Sequence, residues 1–355
     1  MNPEQTNSAR SEAEERPYKP SWIDLFIQWV EKLPINIWLF NLLLGALLIL
    51  VHAVFLWIDD GLFTEEMFPI IIFNSLAIPY LFVLIYLLDK QAVSGLKAMR
   101  PALDLSQEEY LEYEYKLCTM PFLAPLLAGT VITLMTILLP SITVAPARYA
   151  VLEQLPTFNV VFHILDKSSA FLFGVLVYHT IRQLRLVNAI NINHVNINLF
   201  ELVPVQAFSR LTGSTAIGLL VFVYPWMIIN PELLFDPILF ANVVVYTLVA
   251  IFVFVFPLWG VHRIIDQEKR RVLQEINLRF EAVLSEFNQF IDAGDLVASE
   301  ALNGTINSLE IQTRRISAIP TWPWRSETAR LILTAIALPV VLMVLQYFIF
   351  QALEQ

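Results

Sequence analysis

The side chains of this chain best placed to do chemistry are His163, Asp166 and Lys167, because they interrupt an otherwise apolar stretch from Val160 to Ile181. A charged group in hydrocarbon costs at least about 2.5–3.5 kcal/mol, so such residues must pair, line a cavity or sit at an interface. Neighbouring residues on a helix point about 100° apart. The adjacency of Asp166 and Lys167 therefore predicts that they do not simply neutralise each other on one face, and His163, one turn earlier, shares their side. Two roles follow: a permeation or ligand-sensing site inside the span, or an interfacial pair at the outer end of a helix that begins only near Ser168. Gln346 poses the same question in the last apolar stretch. A neighbouring helix can satisfy it, and so can a pore lined by identical helices of an oligomer.

Other chemistry is sparse. The chain contains no Walker loop, no GxGxxG, no HExxH and no GxSxG. Its five histidines, His52, His163, His179, His194 and His262, form no short-spacing metal pair, and Cys118 is the only cysteine, which excludes an intrachain disulfide and a Cys-based zinc site. No cofactor or metal is expected, and an enzyme is the less favoured class. Glu108, Glu109, Glu112 and Glu114 form an acidic run that reads as a solvated helix face rather than a cation site. A net charge of −10 argues against a nucleic-acid partner, since phosphate binding needs Lys and Arg in local excess.

The elements that must position these residues are membrane helices. The chain is 57% hydrophobic and only 15% charged, well to the apolar side of soluble domains. Seven stretches are long enough to cross a bilayer: Ile37 to Ile58, Phe68 to Leu88, Pro121 to Val144, Val160 to Ile181, Thr212 to Asn230, Ile238 to Val261 and Arg330 to Leu353. Of the 22 Lys and Arg residues, all but Arg148 and Lys167 fall on one side of this arrangement. Cytoplasmic loops carry that excess, so the amino terminus is expected inside and the carboxyl terminus outside. The fold class is an all-α polytopic transmembrane bundle in a cell membrane, with the lipid bilayer as its first partner.

Residues 1–20 read as a disordered cytoplasmic tail, and 21–261 as the membrane domain with six spans. Within the latter, Trp22, Leu25, Phe26, Trp29, Val30 and Leu33 recur at helical spacing, with Asp24 on a polar face; this is an amphipathic helix on the inner leaflet or packed on the base of the bundle. Ser106 followed by Glu109 is a capping box for a short acidic helix. The asparagines at 188, 191, 193, 196 and 198 favour an extension of the fourth span, with their amides bonded to neighbouring helices.

Residues 262–327 read as a cytoplasmic αα-hairpin, in which one stripe continues from the sixth span, Gly294 makes the turn, and Pro320 stops the return ahead of a Trp322-Pro323-Trp324 corner and a seventh span over 328–355. Phe280, Phe287 and Ile291 on the outgoing helix should meet Leu302, Ile306 and Leu309 on the return. In arrangement alone, with no shared motif, the chain resembles insect odorant receptors, a likeness that implies a last helix lining the pore of an oligomeric cation channel. The expected function is a homo-oligomeric channel or channel-like receptor. The alternative is a membrane-anchored sensor or scaffold whose hairpin binds a cytosolic protein, and a secondary transporter comes third.

Overall fold

The computed structural model describes residues 17–61, 64–65, 67–138, 152, 154–194, 199, 206–229, 237–324, 327–337 and 341. It is helical, and among the described residues there is no strand; Pro20 and Pro121 form an isolated bridge. The helices are α1 (Trp22–Glu31), α2 (Ile37–Ile58), α3 (Met67–Met99), α4 (Gln107–Cys118), α5 (Leu123–Leu138), α6 (Pro156–Asn193), α7 (Ser209–Ile229), α8 (Pro237–Asp292) and α9 (Leu296–Ser317), followed by a helical stretch over 327–337. Four are long and apolar enough to cross a membrane: α2, α3, α6 and α8. Helix α5 is apolar but spans only 16 described residues.

Local chemistry explains where the helices start. Asn36 caps α2 by accepting from Trp38 N–H, and the capping boxes of Ser21 with Asp24 and of Ser106 with Glu109 both form. Each satisfies backbone donors that a helix amino terminus leaves without partners. Asp59, just past α2, accepts from Phe158 N–H at 2.8 Å and so stitches the end of α2 to the start of α6. Helix α6 starts at Pro156 and runs unbroken through His163, Asp166 and Lys167, so it does not begin near Ser168. At about 1.5 Å per residue, α3, α6 and α8 are about 50, 57 and 84 Å long, well beyond a hydrocarbon core of about 30 Å.

The main core joins α1, α3, α6 and α7 through Ile23, Leu81, Leu88, Leu176 and Leu211, while a second core joins α7, α8 and the 327–337 helix through Leu220, Phe254 and Ile332. Helices α5 and α6 approach each other at glycines: a Cβ on Gly174 would stand 2.6 Å from the Ala128 carbonyl oxygen, which only a hydrogen atom tolerates. The outer faces of α2 and α5 present Leu42, Leu47, Leu50, Leu127 and Leu134 without cover. A strip of this size would drive a protein to aggregate in water, and it matches a lipid environment.

One expectation about the amino-terminal region needs correction: Asp24, expected on a polar face, is buried. Residues 17–20 are ordered: Tyr18 donates its hydroxyl to the Thr119 carbonyl at 2.7 Å and accepts at its own carbonyl from Tyr115 at 2.8 Å. The rest of the expected tail, residues 1–16, lies outside the described residues. Helix α1 buries Ile23, Asp24, Ile27 and Val30 and leaves Leu25 and Trp29 exposed. Trp22, Phe26 and Val30 of its apolar stripe pack inward with Ile23 and Ile27, while Leu25 and Trp29 of the same stripe face outward.

Helix α8 continues past the apolar region and turns at Gly294, whose φ of +75° lies in the left-handed region that glycine adopts without penalty. Helix α9 then packs back along α8 through Ile276, Leu309 and Ile316, with Val272, Phe280 and Val283 around them.

Candidate functional site

Three groups of polar side chains bear on function. The first contains the residues that the sequence singled out. Lys167 Nζ lies 2.9 Å from Asp166 Oδ2 and also donates to the Thr136 carbonyl on α5 at 3.3 Å. The pair does neutralise itself, against the expectation from helical geometry. The Cα–Cβ bonds diverge, but the four-carbon stem of lysine is long enough to bend back to its neighbour. His163 lies exposed, its ring edge-on to Phe162 at 5.8 Å between centroids. The side chains of Lys167 and Asp166 keep 29% and 41% of their surface open. Lys167 and Ser168 line a cleft of about 540 Å³ with Thr130, Thr133, Trp22 and Phe171, while Asp166 reaches a separate recess of about 40 Å³ beside Asn74, Phe162 and Trp226. Gln346 lies outside the described residues.

A second group, which sequence reading missed, joins four segments where α1 docks on the bundle. His179 on α6 is fully buried, with its Nε2 3.0 Å from Asp89 Oδ1 on α3. One turn on, Gln183 donates to the Leu117 carbonyl at 3.0 Å and Arg182 donates to the Tyr18 hydroxyl. Asp24 Oδ2 accepts from Ser21 N–H, Ser21 Oγ and Met120 N–H, at 3.0, 2.7 and 2.8 Å. Burial pushes the Asp24 carboxyl above the usual carboxylate range, although those hydrogen bonds and the nearby His179 act to lower it. Cys118 donates weakly to the Asp89 carbonyl at 3.6 Å, and burial pushes its thiol up, so it is an unreactive thiol.

The third group couples α8, α9 and the chain that follows. Lys269 donates to the Ser317 and Ile319 carbonyls at 2.7 and 2.8 Å, where the negative end of the α9 dipole gathers. His262 Nδ1 lies 3.2 Å from the Thr321 carbonyl oxygen. Four rings then stack in a column, His262 on Trp322 at 4.1 Å, Trp322 on Trp324 at 4.3 Å and Trp324 on Phe254 at 5.1 Å. Comparison of the chain with protein-family models, curated proteins and solved structures finds no match. Any function must therefore be argued from these three groups.

The assembly residues expected on the α8–α9 pair are unevenly placed. Phe280 packs with Ile276 and Leu309, whereas Phe287, Leu302 and Ile306 are half-buried and Ile291 is exposed. Among the described residues no cluster of three or more His, Cys, Asp or Glu could hold a metal ion. In the asparagine run, Asn191 is buried with neither amide atom bonded, which departs from the expected ties to neighbouring helices; Asn196 and Asn198 lie outside the described residues.

Proposed function

We propose that the chain is a seven-span membrane protein, amino terminus in the cytoplasm, that assembles with copies of itself and works as a channel or channel-like receptor. The remaining three spans are the apolar sequence stretches Pro121 to Val144, Thr212 to Asn230 and Arg330 to Leu353. The supporting observation is the half-buried Asp166–Lys167 pair beside a cleft with Thr130, Thr133 and Ser168 on its walls. In a lone chain these groups would face hydrocarbon, where an open ion pair is costly. Against a second copy they become the lining of a polar path between subunits.

The test is reconstitution in nanodiscs, with mass measured on single particles and currents recorded in planar bilayers. A symmetric oligomer is expected, with a conductance whose ion selectivity shifts in Asp166→Asn and Lys167→Gln. A monomer without current would overturn this reading. Orientation is tested by single cysteines: those placed at Glu65 and Glu354 should react with an impermeant thiol reagent from outside, and one at Asp295 should not. Cys118 is held unreactive by its burial and should stay silent in that assay.

The second reading is a membrane-anchored sensor whose cytoplasmic α8–α9 hairpin recruits a soluble protein. It is favoured by the third polar group, since Lys269 and the four-ring column tie α8 to the end of α9 and to the Trp322-Pro323-Trp324 corner that precedes the last helix. Pull-down by the intact protein in nanodiscs, abolished by Val297→Asp at the exposed tip, would support the sensor. Capture that ignores Val297→Asp would count against it.

A further inference from the structure

The group around His179 performs no task in either reading, yet it gathers buried and half-buried ionisable side chains from four elements. Helix α3 contributes Asp89. Helix α1 and the residues before it contribute Asp24 and Tyr18, and α4 contributes Tyr115 and Cys118. Helix α6 itself adds Tyr178 and Arg182. Around them, the buried Asp24 Oδ1, Thr180 Oγ1, Gln183 Oε1 and His179 Nδ1 all lack a hydrogen-bond partner. So many orphaned polar atoms are unusual in a packed interior and mark a place where charge or protons are handled.

The charge balance gives the direction. With a neutral imidazole, Asp24, Asp89 and Arg182 leave one uncompensated negative charge in a buried space; a proton on His179 cancels it and makes the 3.0 Å contact with Asp89 a true ion pair. A proton can arrive, because Asp89 keeps 14% of its side chain open while His179 keeps none.

We propose that the Asp89–His179 pair is a proton-binding site that latches the amino-terminal arm, residues 17–31, onto the bundle. The arm is fastened through neighbours of the pair: Tyr18 to Arg182 and Thr119, and Asp24 to Met120. Protonation holds α3, α6 and the arm together. Deprotonation leaves two buried carboxylates facing one guanidinium, and the arm loosens. The contribution of Asp24 has the same sign, since a carboxyl raised by burial stabilises the docked form at low pH and loses that contribution as pH rises through its folded-state value.

The experiment is hydrogen exchange of the full chain in nanodiscs across pH, read as protection factors so that the intrinsic pH dependence of exchange cancels. Protection over residues 17–31 should fall about ten-fold or more as the imidazole loses its proton, while α2 and α9 stay unchanged. Both His179→Gln and Asp89→Asn should remove the step. Arm protection that is flat with pH in the wild type, or a step that survives in His179→Gln, would overturn the latch. If His179→Gln does not fold, ¹⁵N-histidine spectra of the wild type and Asp89→Asn decide: an imidazole that titrates together with arm protection, at a pH moved by Asp89→Asn, supports the latch. An imidazole that does not titrate rejects it.

Discussion

The amino-terminal node and the α8–α9 pair hold helices together in opposite ways. At the node, four segments converge on buried polar groups, and residues as far apart in sequence as Tyr18 and Arg182 come into contact. Along α8 and α9, the contact rests on one seam of Ile276, Leu309 and Ile316, and the charges on α8 are met by their own helix, as in Asp266 with Arg270 and Glu268 with Arg271. Surface pairs of that kind are worth only a few tenths of a kcal/mol. The node should thus fail as a unit when one member is removed, whereas the pair of helices should fail locally and in proportion to the apolar area lost.

The sharpest test of that contrast is Asp89→Leu, which leaves His179 buried opposite an apolar side chain. With His179 protonated, as the latch requires, losing one partner of a buried ion pair costs about 3–5 kcal/mol, so a large fall in the thermal unfolding temperature in detergent is expected. Asp89→Leu combined with His179→Leu should recover most of it, because two apolar groups leave no stranded charge. Equal losses in the single and double variants would mean that the pair contributes by packing alone.

On the other side of the comparison, Ile276→Ala should cost about 2–4 kcal/mol of local stability, read as faster hydrogen exchange from Val272 to Ile316 with the node unaffected. Ile291→Ala, near the tip, should cost no more than about 0.5 kcal/mol, because Ile291 is already exposed. A large effect at Ile291 would show that a second copy or a partner covers the tip, and the seam would then not be the main contact.

How much of this was legible follows from how far apart the cooperating residues are. The bounds of α2 could be read residue for residue, since 22 consecutive positions are almost wholly apolar and Asn36 caps them. The continuity of α8 was also legible, because one stripe runs from the span into the polar stretch. The node was not. Asp89 lies near the end of one helix and His179 deep in another, and each alone looks like an ordinary interfacial residue; only the crossing of α3 and α6 makes them a pair. For α1 the limit has a different cause: hydrophobic periodicity shows that a stripe exists, but a helix set between lipid and core has two, so the burial of Asp24 was not legible.

Lys269→Met probes the joint between the two regions, with a smaller effect. It removes a cation from the carboxyl end of α9 and two charge-assisted hydrogen bonds to an exposed turn, a loss of about 1–2 kcal/mol. Exchange should quicken from Ala318 to Trp324, and Ile276 should keep its protection. If Ile276 also loosens, the corner and the seam are one cooperative unit.

Asp24→Asn is also expected to have a small effect, and its value lies in its sign. The carboxamide introduced by this substitution keeps an oxygen that can accept from Ser21 and Met120, so the change in stability at neutral pH should stay within about 1 kcal/mol. What it removes is a titrating group whose folded-state value is raised by burial. Such a group stabilises the folded form below its unfolded-state value and loses that contribution as pH rises through the folded one, so the wild type should lose arm stability over the range just above ordinary carboxylates. In Asp24→Asn that acid-range slope should flatten. A steeper slope in the variant would mean that the three hydrogen bonds favour the carboxylate more than burial disfavours it, and the charge assignment of the node would have to be reversed.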